Sequence, residues 1–307
     1  MVRSMDRPLL LGLRTVCLVL TLVALGGVCS HSASAQDLEF DRLSQAASRA
    51  FEHKNPAEAK KLFQEALEIA LAMPAGDPRV TSTFRLLAAV QTVLGEFREA
   101  EASLMNALLI VERHHGPLAP ERAEILLHLG TVFRAEGRLD RAEWAIGLGV
   151  KLGRQAHGPK SVWLADALGR LFAVRFDSGQ RKESEAPLRE SIRIRRAAGP
   201  KQKEALANDL DSLGRLLSAL GRSAEALEQV EASLAMRPEG CPCAVLVDSM
   251  CRKAQLLRKL GRANEALEVE ARVAELRRSG DDSARFRRDG LGRDMPGCDP
   301  AGEGAAT

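Results

Sequence analysis

The fourteen residues "GRSAEALEQVEASL" (221–234) return in altered form as "GRANEALEVEARVA" (261–274) and "GRLDRAEWAIGLGV" (137–150). The leading glycine recurs at Gly95, Gly137, Gly179, Gly221 and Gly261, in steps of 42, 42, 42 and 40 residues. Five positions after each glycine stands a small side chain: Ala100, Ala142, Ser184, Ala226 and Ala266. An earlier copy, "NPAEAKKLFQEAL" (55–67), keeps Ala59 in register but has Lys54-Asn55-Pro56 in place of glycine. Prolines punctuate the intervals at Pro78, Pro117, Pro159, Pro200 and Pro242, and "HGP" is written at both 115–117 and 157–159. A period of this length held over six copies means an array of one supersecondary motif, each copy burying its apolar face against the next.

Each copy reads as two helices. In "ERAEILLHLGTVFRAE" (121–136), Leu126, Leu129, Gly130 and Phe133 fall on one face at helical spacing. Gly137 ends that helix, because glycine takes the left-handed cap conformation without steric cost. A second helix follows, turning Ala142, Ile146, Gly149 and Val150 back toward the first. The small residue at 142 lets the two axes cross closely; bulk there would push them apart. Composition agrees: aromatic residues are 4%, tyrosine is absent, and Ala, Leu, Arg and Glu dominate without an alternating Val/Ile run that would compete as a strand.

These positions resemble the tetratricopeptide repeat. The family's small and large slots fall on Leu126, Leu129, Gly130, Phe133, Ala142, Ile146 and Gly149, and again on Leu210, Leu213, Gly214, Leu217, Ala226, Val230 and Ser233. The fourth copy departs, with Phe172 in a small slot and Ser184 for alanine; the sixth has Glu270 in an apolar slot, as expected of an exposed end. A step near 42 with a Gly-Pro loop is similar to the kinesin light chain type. The resemblance implies an all-α, right-handed α-solenoid of about six helix-turn-helix repeats, at 40–73, 81–114, 123–156, 165–198, 207–240 and 247–278. It further implies a concave groove lined by the first helix of each pair. By that geometry the lining includes Arg85, Leu127, Thr131, Arg134, Arg170, Asp211, Arg215, Gln255 and Arg258, with Cys251 beside them. The recurring arginines suit an acidic or extended peptide, since guanidinium forks hold carboxylates well. Asp166, Asp177 and Asp211 would neutralise part of that stripe.

The ends differ from the array at 36–278. Residues 1–35 run from Arg3, Arg7 and Arg14 through the apolar stretch "TVCLVLTLVALGGV" (15–28) to small residues at Ala33 and Ala35. That order is a secretory signal peptide cut after Ala35; the apolar run is shorter than the roughly 20 residues of a spanning helix. The expectation is an exported bacterial protein, periplasmic or extracellular, touching a membrane only if the segment is retained. Losing it removes three arginines and one acid, so the remainder is nearly neutral and has no overall field to draw nucleic acid. Residues 279–307 lose the period and gain Gly, Asp and Pro, a disordered composition.

Chemistry is sparse. No phosphate-binding glycine loop, HExxH or GxSxG occurs, and the adjacent His114 and His115 point about 100° apart on a helix, which suits a turn better than a metal site. No catalytic residue, cofactor or metal is expected. The exception to weigh is cysteine. Cys241, Cys243, Cys251 and Cys298 follow the signal segment, an even number in an exported chain. They allow a disulfide stapling the end of the array, a soft-metal site, or free thiols. Two functions therefore stand: a non-catalytic scaffold binding a protein or peptide in its groove, or a redox-active or metal-handling envelope protein acting through Cys241, Cys243 and Cys251.

Overall fold

The structure, a computed structural model, describes residues 35–237 and 244–279. Among the described residues there are twelve α-helices and no strand. The helices are α1 (35–52), α2 (Pro56–Leu71), α3 (Pro78–Val93), α4 (Phe97–His114), α5 (Pro120–Ala135) and α6 (Leu139–His157). They continue as α7 (Val162–Asp177), α8 (Arg181–Ala198), α9 (Lys203–Ala219), α10 (Ser223–Ala235), α11 (Ala244–Lys259) and α12 (Ala263–Ser279). Odd and even helices pack as consecutive pairs, and a 3-10 turn at Pro200–Gln202 leads from α8 into α9. The expected signal segment, apart from Ala35, lies outside the described residues, as do 280–307. First helices begin about three residues ahead of the expected repeat bounds, because the loop supplies their caps. Pro78 opens α3 behind Asp77, whose carboxylate accepts the Arg79 N–H at 2.9 Å, and Ser161 accepts the Leu164 N–H at 3.2 Å to open α7.

The turn inside each pair follows from one conformation. Gly221 has φ +79°, and the next N–H, from Arg222, bonds back to Leu217 O at 2.9 Å. That bond closes the end of α9 in a left-handed cap. In the first pair the same bond runs from Asn55 to Ala50 O, and Lys54 takes the left-handed position at φ +59°. The missing glycine thus left the turn unchanged, at the cost of a strained lysine.

The described residues divide into two compact units, one up to residue 128 and one from residue 129 onward, the division falling within α5. In the first, Ala47, Ala50, Ala59, Phe63, Leu87 and Val90 form a buried cluster from α1, α2 and α3. In the second, Phe172, Leu188, Leu210, Leu213, Leu217, Val230 and Leu257 belong to one cluster running from α7 to α12. Two glycines set the crossing distance there. A methyl group at Gly130 would lie 2.3 Å from Ile146 Cγ1, and one at Gly214 would lie 2.5 Å from Val230 Cγ2. Gly153 likewise receives the Trp163 ring, which stacks on His157 at 4.4 Å and closes the α6–α7 junction.

The fourth repeat is held by substitutes. Pro187 lies inside α8 and has no N–H for the carbonyl of Glu183. Arg175 of α7 supplies that donor at 3.2 Å and also donates to Glu143 of α6 at 2.8 Å. Farther along α8, Arg195 is buried and joins three elements. Its guanidinium donates to Asp166 of α7 at 2.5 Å, to Asp209 of α9 at 2.9 Å and to Gln202 in the 3-10 turn at 2.7 Å. Ser191, fully buried, lies 2.6 Å from Asp209 Oδ2 and 3.0 Å from Ala165 O. Burial pushes the Asp209 carboxyl up, against the opposing pull of Ser191 and Arg195.

Two outcomes follow for stability. Gly214→Ala is expected to destabilise by about 1–3 kcal/mol in urea unfolding, because Val230 must yield, and adding Val230→Ala should recover part of the loss. Arg195→Leu should cost about 3–5 kcal/mol at neutral pH by stranding Asp209. A carboxyl whose folded pKa exceeds its unfolded one favours the fold below the unfolded value and loses that advantage as pH rises through the folded value. The Arg195→Leu deficit should therefore narrow as pH is lowered from 7 toward 4, and a deficit that widens would contradict this account.

Candidate functional site

In the second unit the first helices of successive pairs touch one another through polar side chains. From α7, Arg170 donates to Thr131 Oγ1 of α5 at 2.8 Å. In return Arg134 of α5 donates to Asp177 of α7 at 2.6 Å. Arg215 of α9 places its guanidinium carbon 4.7 Å from the centroid of Phe176 on α7. Arg252 of α11 reaches Asp211 of α9 at 3.4 Å and Asp248 on its own helix at 2.9 Å. Each step of the row is thus bridged, and the sequence separations of the inter-helix contacts, 39 for Arg170–Thr131 and 43 for Arg134–Asp177, sit near the repeat length.

Two arginines of this row differ from the rest. Among the described residues neither Arg170 nor Arg215 has a carboxylate within ion-pairing distance, whereas Arg134 and Arg252 do. Burial pulls the Arg170 guanidinium below its ordinary value, opposed only by the charge of Asp166. Arg215 keeps solvent contact, yet the protein around it also pulls its guanidinium down, followed by repulsion from Arg252; Asp211, Asp177 and Asp248 act in the other direction. Both groups stay protonated, since an arginine never releases its proton near neutrality. Stacking on Phe176 fixes Arg215 in place, with its edges left for hydrogen bonding.

The other expected groove residues fare differently. Gln255 is exposed on α11. Arg258 is tied to its own partner helix: its guanidinium donates twice to Glu270 of α12, both at 2.8 Å. The pairing explains Glu270, an acid in an apolar slot that found a cation on the facing helix. In the first unit Arg85 is paired with Glu124 of α5. Leu127 is 5% exposed and belongs to the packing, so it cannot line a groove. The geometry implied by the resemblance placed it in the lining, but here its side chain is covered by packing. The same unit carries a stripe that sequence reasoning passed over: Leu86 and Val93, seven residues apart on α3, are 44% and 63% exposed.

Cys251 is buried in the cluster of Leu246, Val247, Val273 and Leu276, and it is disulfide-bonded. Cys241, Cys243 and Cys298 lie outside the described residues. A buried disulfide sulfur is a poor nucleophile and metal ligand, so nothing here favours the redox or metal-handling alternative. Among the described residues no group of three His, Cys, Asp or Glu side chains gathers as a metal site.

Comparison with known proteins fits this geometry. The tetratricopeptide repeat family matches residues 79–143, from α3 into α6. The kinesin light chain-related protein 3 of Arabidopsis thaliana is 26% identical over 165 residues, 53% of this chain. The chain spans only about a quarter of the length of that relative, 25% being covered. Among solved structures, BtubC (BKLC) from P. vanneervenii superposes with a TM-score of 0.65 at 20% identity, covering 80% of this chain and 93% of that one. A putative kinesin light chain from Podosopora anserina, built of TPR-like repeats, gives 0.60 at 18% identity, covering 69% and 100%. At such identities the structures speak for the fold alone, and the fold is the one the spacing of glycines and small residues describes. Residues 79–143 thus match the tetratricopeptide repeat family, and the chain as a whole is similar in fold to repeat proteins of the kinesin light chain kind.

Proposed function

We propose that the protein is a non-catalytic scaffold and that the first-helix row of the second unit docks a protein or peptide partner through acidic side chains. Repeats of this family generally serve protein–protein interaction, which supports the scaffold reading. The observation that carries the finer reading is the pair Arg170 and Arg215, two cations in a row where neighbouring arginines are already neutralised. A carboxylate arriving at either guanidinium meets a charge-assisted donor, and at the half-buried Arg170 the fold has already removed part of the solvent. Export belongs to the same proposal, on the charged-apolar-small order of residues 1–35.

Capture of a partner from the native envelope fraction should fall at least about tenfold with Arg170→Glu plus Arg215→Glu, which corresponds to about 1.4 kcal/mol. Circular dichroism of the double variant checks that it remains folded. Equal capture by a folded double variant would sink the proposed site. Sequencing the amino terminus of protein purified from its native host should begin at Gln36; a start at Met1 would remove cleavage from the reading.

A further inference from the structure

We infer that the acidic stretch 294–307 of this same chain docks on the Arg170–Arg215 row, so that the row is occupied in cis until an acidic partner displaces it. The inference rests on the proposed acid-binding role of that row and names an occupant for it.

Charge selects the segment. Residues 294–307 contain Asp294, Asp299 and Glu303 and no Lys, Arg or His. The preceding stretch, 280–293, mixes Asp281, Asp282 and Asp289 with Arg285, Arg287, Arg288 and Arg293, so it is net positive like Arg170 and Arg215 and is thereby disfavoured as the docking part. On the receiving side, the two guanidiniums are the cations of the row without a carboxylate at ion-pairing distance among the described residues. A mobile or fixed acid elsewhere in the chain would compete for them only if it could reach.

Reach favours this segment. Near the end of α12, Arg277 Nη2 lies 3.8 Å from Cys251 Sγ, on the amino-terminal half of α11. The next residue, Arg252, contacts Asp211 of α9, and Arg215 lies one helical turn beyond Asp211. Two side-chain contacts and one helical turn thus link the root of the tail to Arg215. The fourteen residues 280–293 can span up to about 50 Å, well beyond that separation. A tether of this length gives a docked segment an effective concentration on the order of millimolar. Even a weak set of two or three ion pairs then competes with a free ligand.

The test uses the full chain and a synthetic peptide of residues 294–307 carrying Cys298→Ser as the probe. In one variant Asp294→Asn, Asp299→Asn and Glu303→Gln neutralise the tail in cis. The probe is expected to bind that variant about tenfold more tightly than the wild type, more weakly as salt is raised, and to be lost when Arg170→Glu and Arg215→Glu are added. Equal, measurable binding to wild type and neutralised tail would overturn cis occupancy while leaving the row an acid receiver. Absence of probe binding to either chain would overturn both. Binding that survives the two arginine reversals in a folded protein would place the acidic site elsewhere and also overturn the inference.

Discussion

The closeness of two helix crossings governs the second unit. At Gly130 and Gly214 the first helix of a pair presents bare backbone to Ile146 and Val230, with Ala142 O and Ala226 O just behind. Only at that separation do Ala142 and Ala226, both fully buried, become interior residues rather than gaps. A wider crossing would leave a void that relaxes only in part, and the loss would pass to the next pair through shared residues such as Leu217 and Leu257. Stability in such an array is a sum of neighbour terms, so the tight crossings act as the unit of repetition.

That constraint explains how much could be read from the chain. Gly130, Gly137, Ala142 and Ile146 announce their roles by type and spacing, because each sits where one side-chain volume or one backbone conformation is admissible. The turn at Lys54 shows the limit: a left-handed residue without glycine was legible only through register with the other copies. Pro187 inside α8, and Arg175 bonding the carbonyl it leaves free, were not legible, since the partner lies on another helix. The buried set of Arg195, Asp166, Asp209 and Ser191 escaped for the same reason. A carboxylate on a polar helix face reads as solvated until the next pair covers it. The cover over Leu127 and the anion beside Arg258 were equally out of sight in the sequence.

The fourth repeat is where departure from the pattern and the candidate site meet. Phe172 fills a slot that holds glycine in the third and fifth repeats, and its ring tilts against Phe176 at 5.7 Å. Phe176 in turn carries Arg215 of the following repeat. An aromatic in a small slot looks like a weak match when a single motif is scored. In three dimensions it props the platform that holds a cation of the next helix in position. The specificity of a repeat protein lies in such departures, because the matching positions are spent on the crossing itself.

The distribution of ion pairs sharpens that point. Second helices are joined by Arg154–Glu190 and Arg222–Glu185, first helices by Arg134–Asp177 and Arg252–Asp211. Partly exposed pairs of this kind add little stability each, commonly below about 1 kcal/mol. Their larger effect is on recognition. A guanidinium already satisfied by a neighbouring repeat offers a ligand nothing unless the ligand displaces a tethered carboxylate, which competes at high local concentration. Arginine content therefore overstates the charge a partner can use. Arg170, spent on a neutral hydroxyl, and Arg215, spent on an aromatic face, retain their capacity for an anion. On the proposed reading, a ladder of five arginines in the sequence reduces to two points, and a ligand that recognises two points must match their spacing as well as their charge.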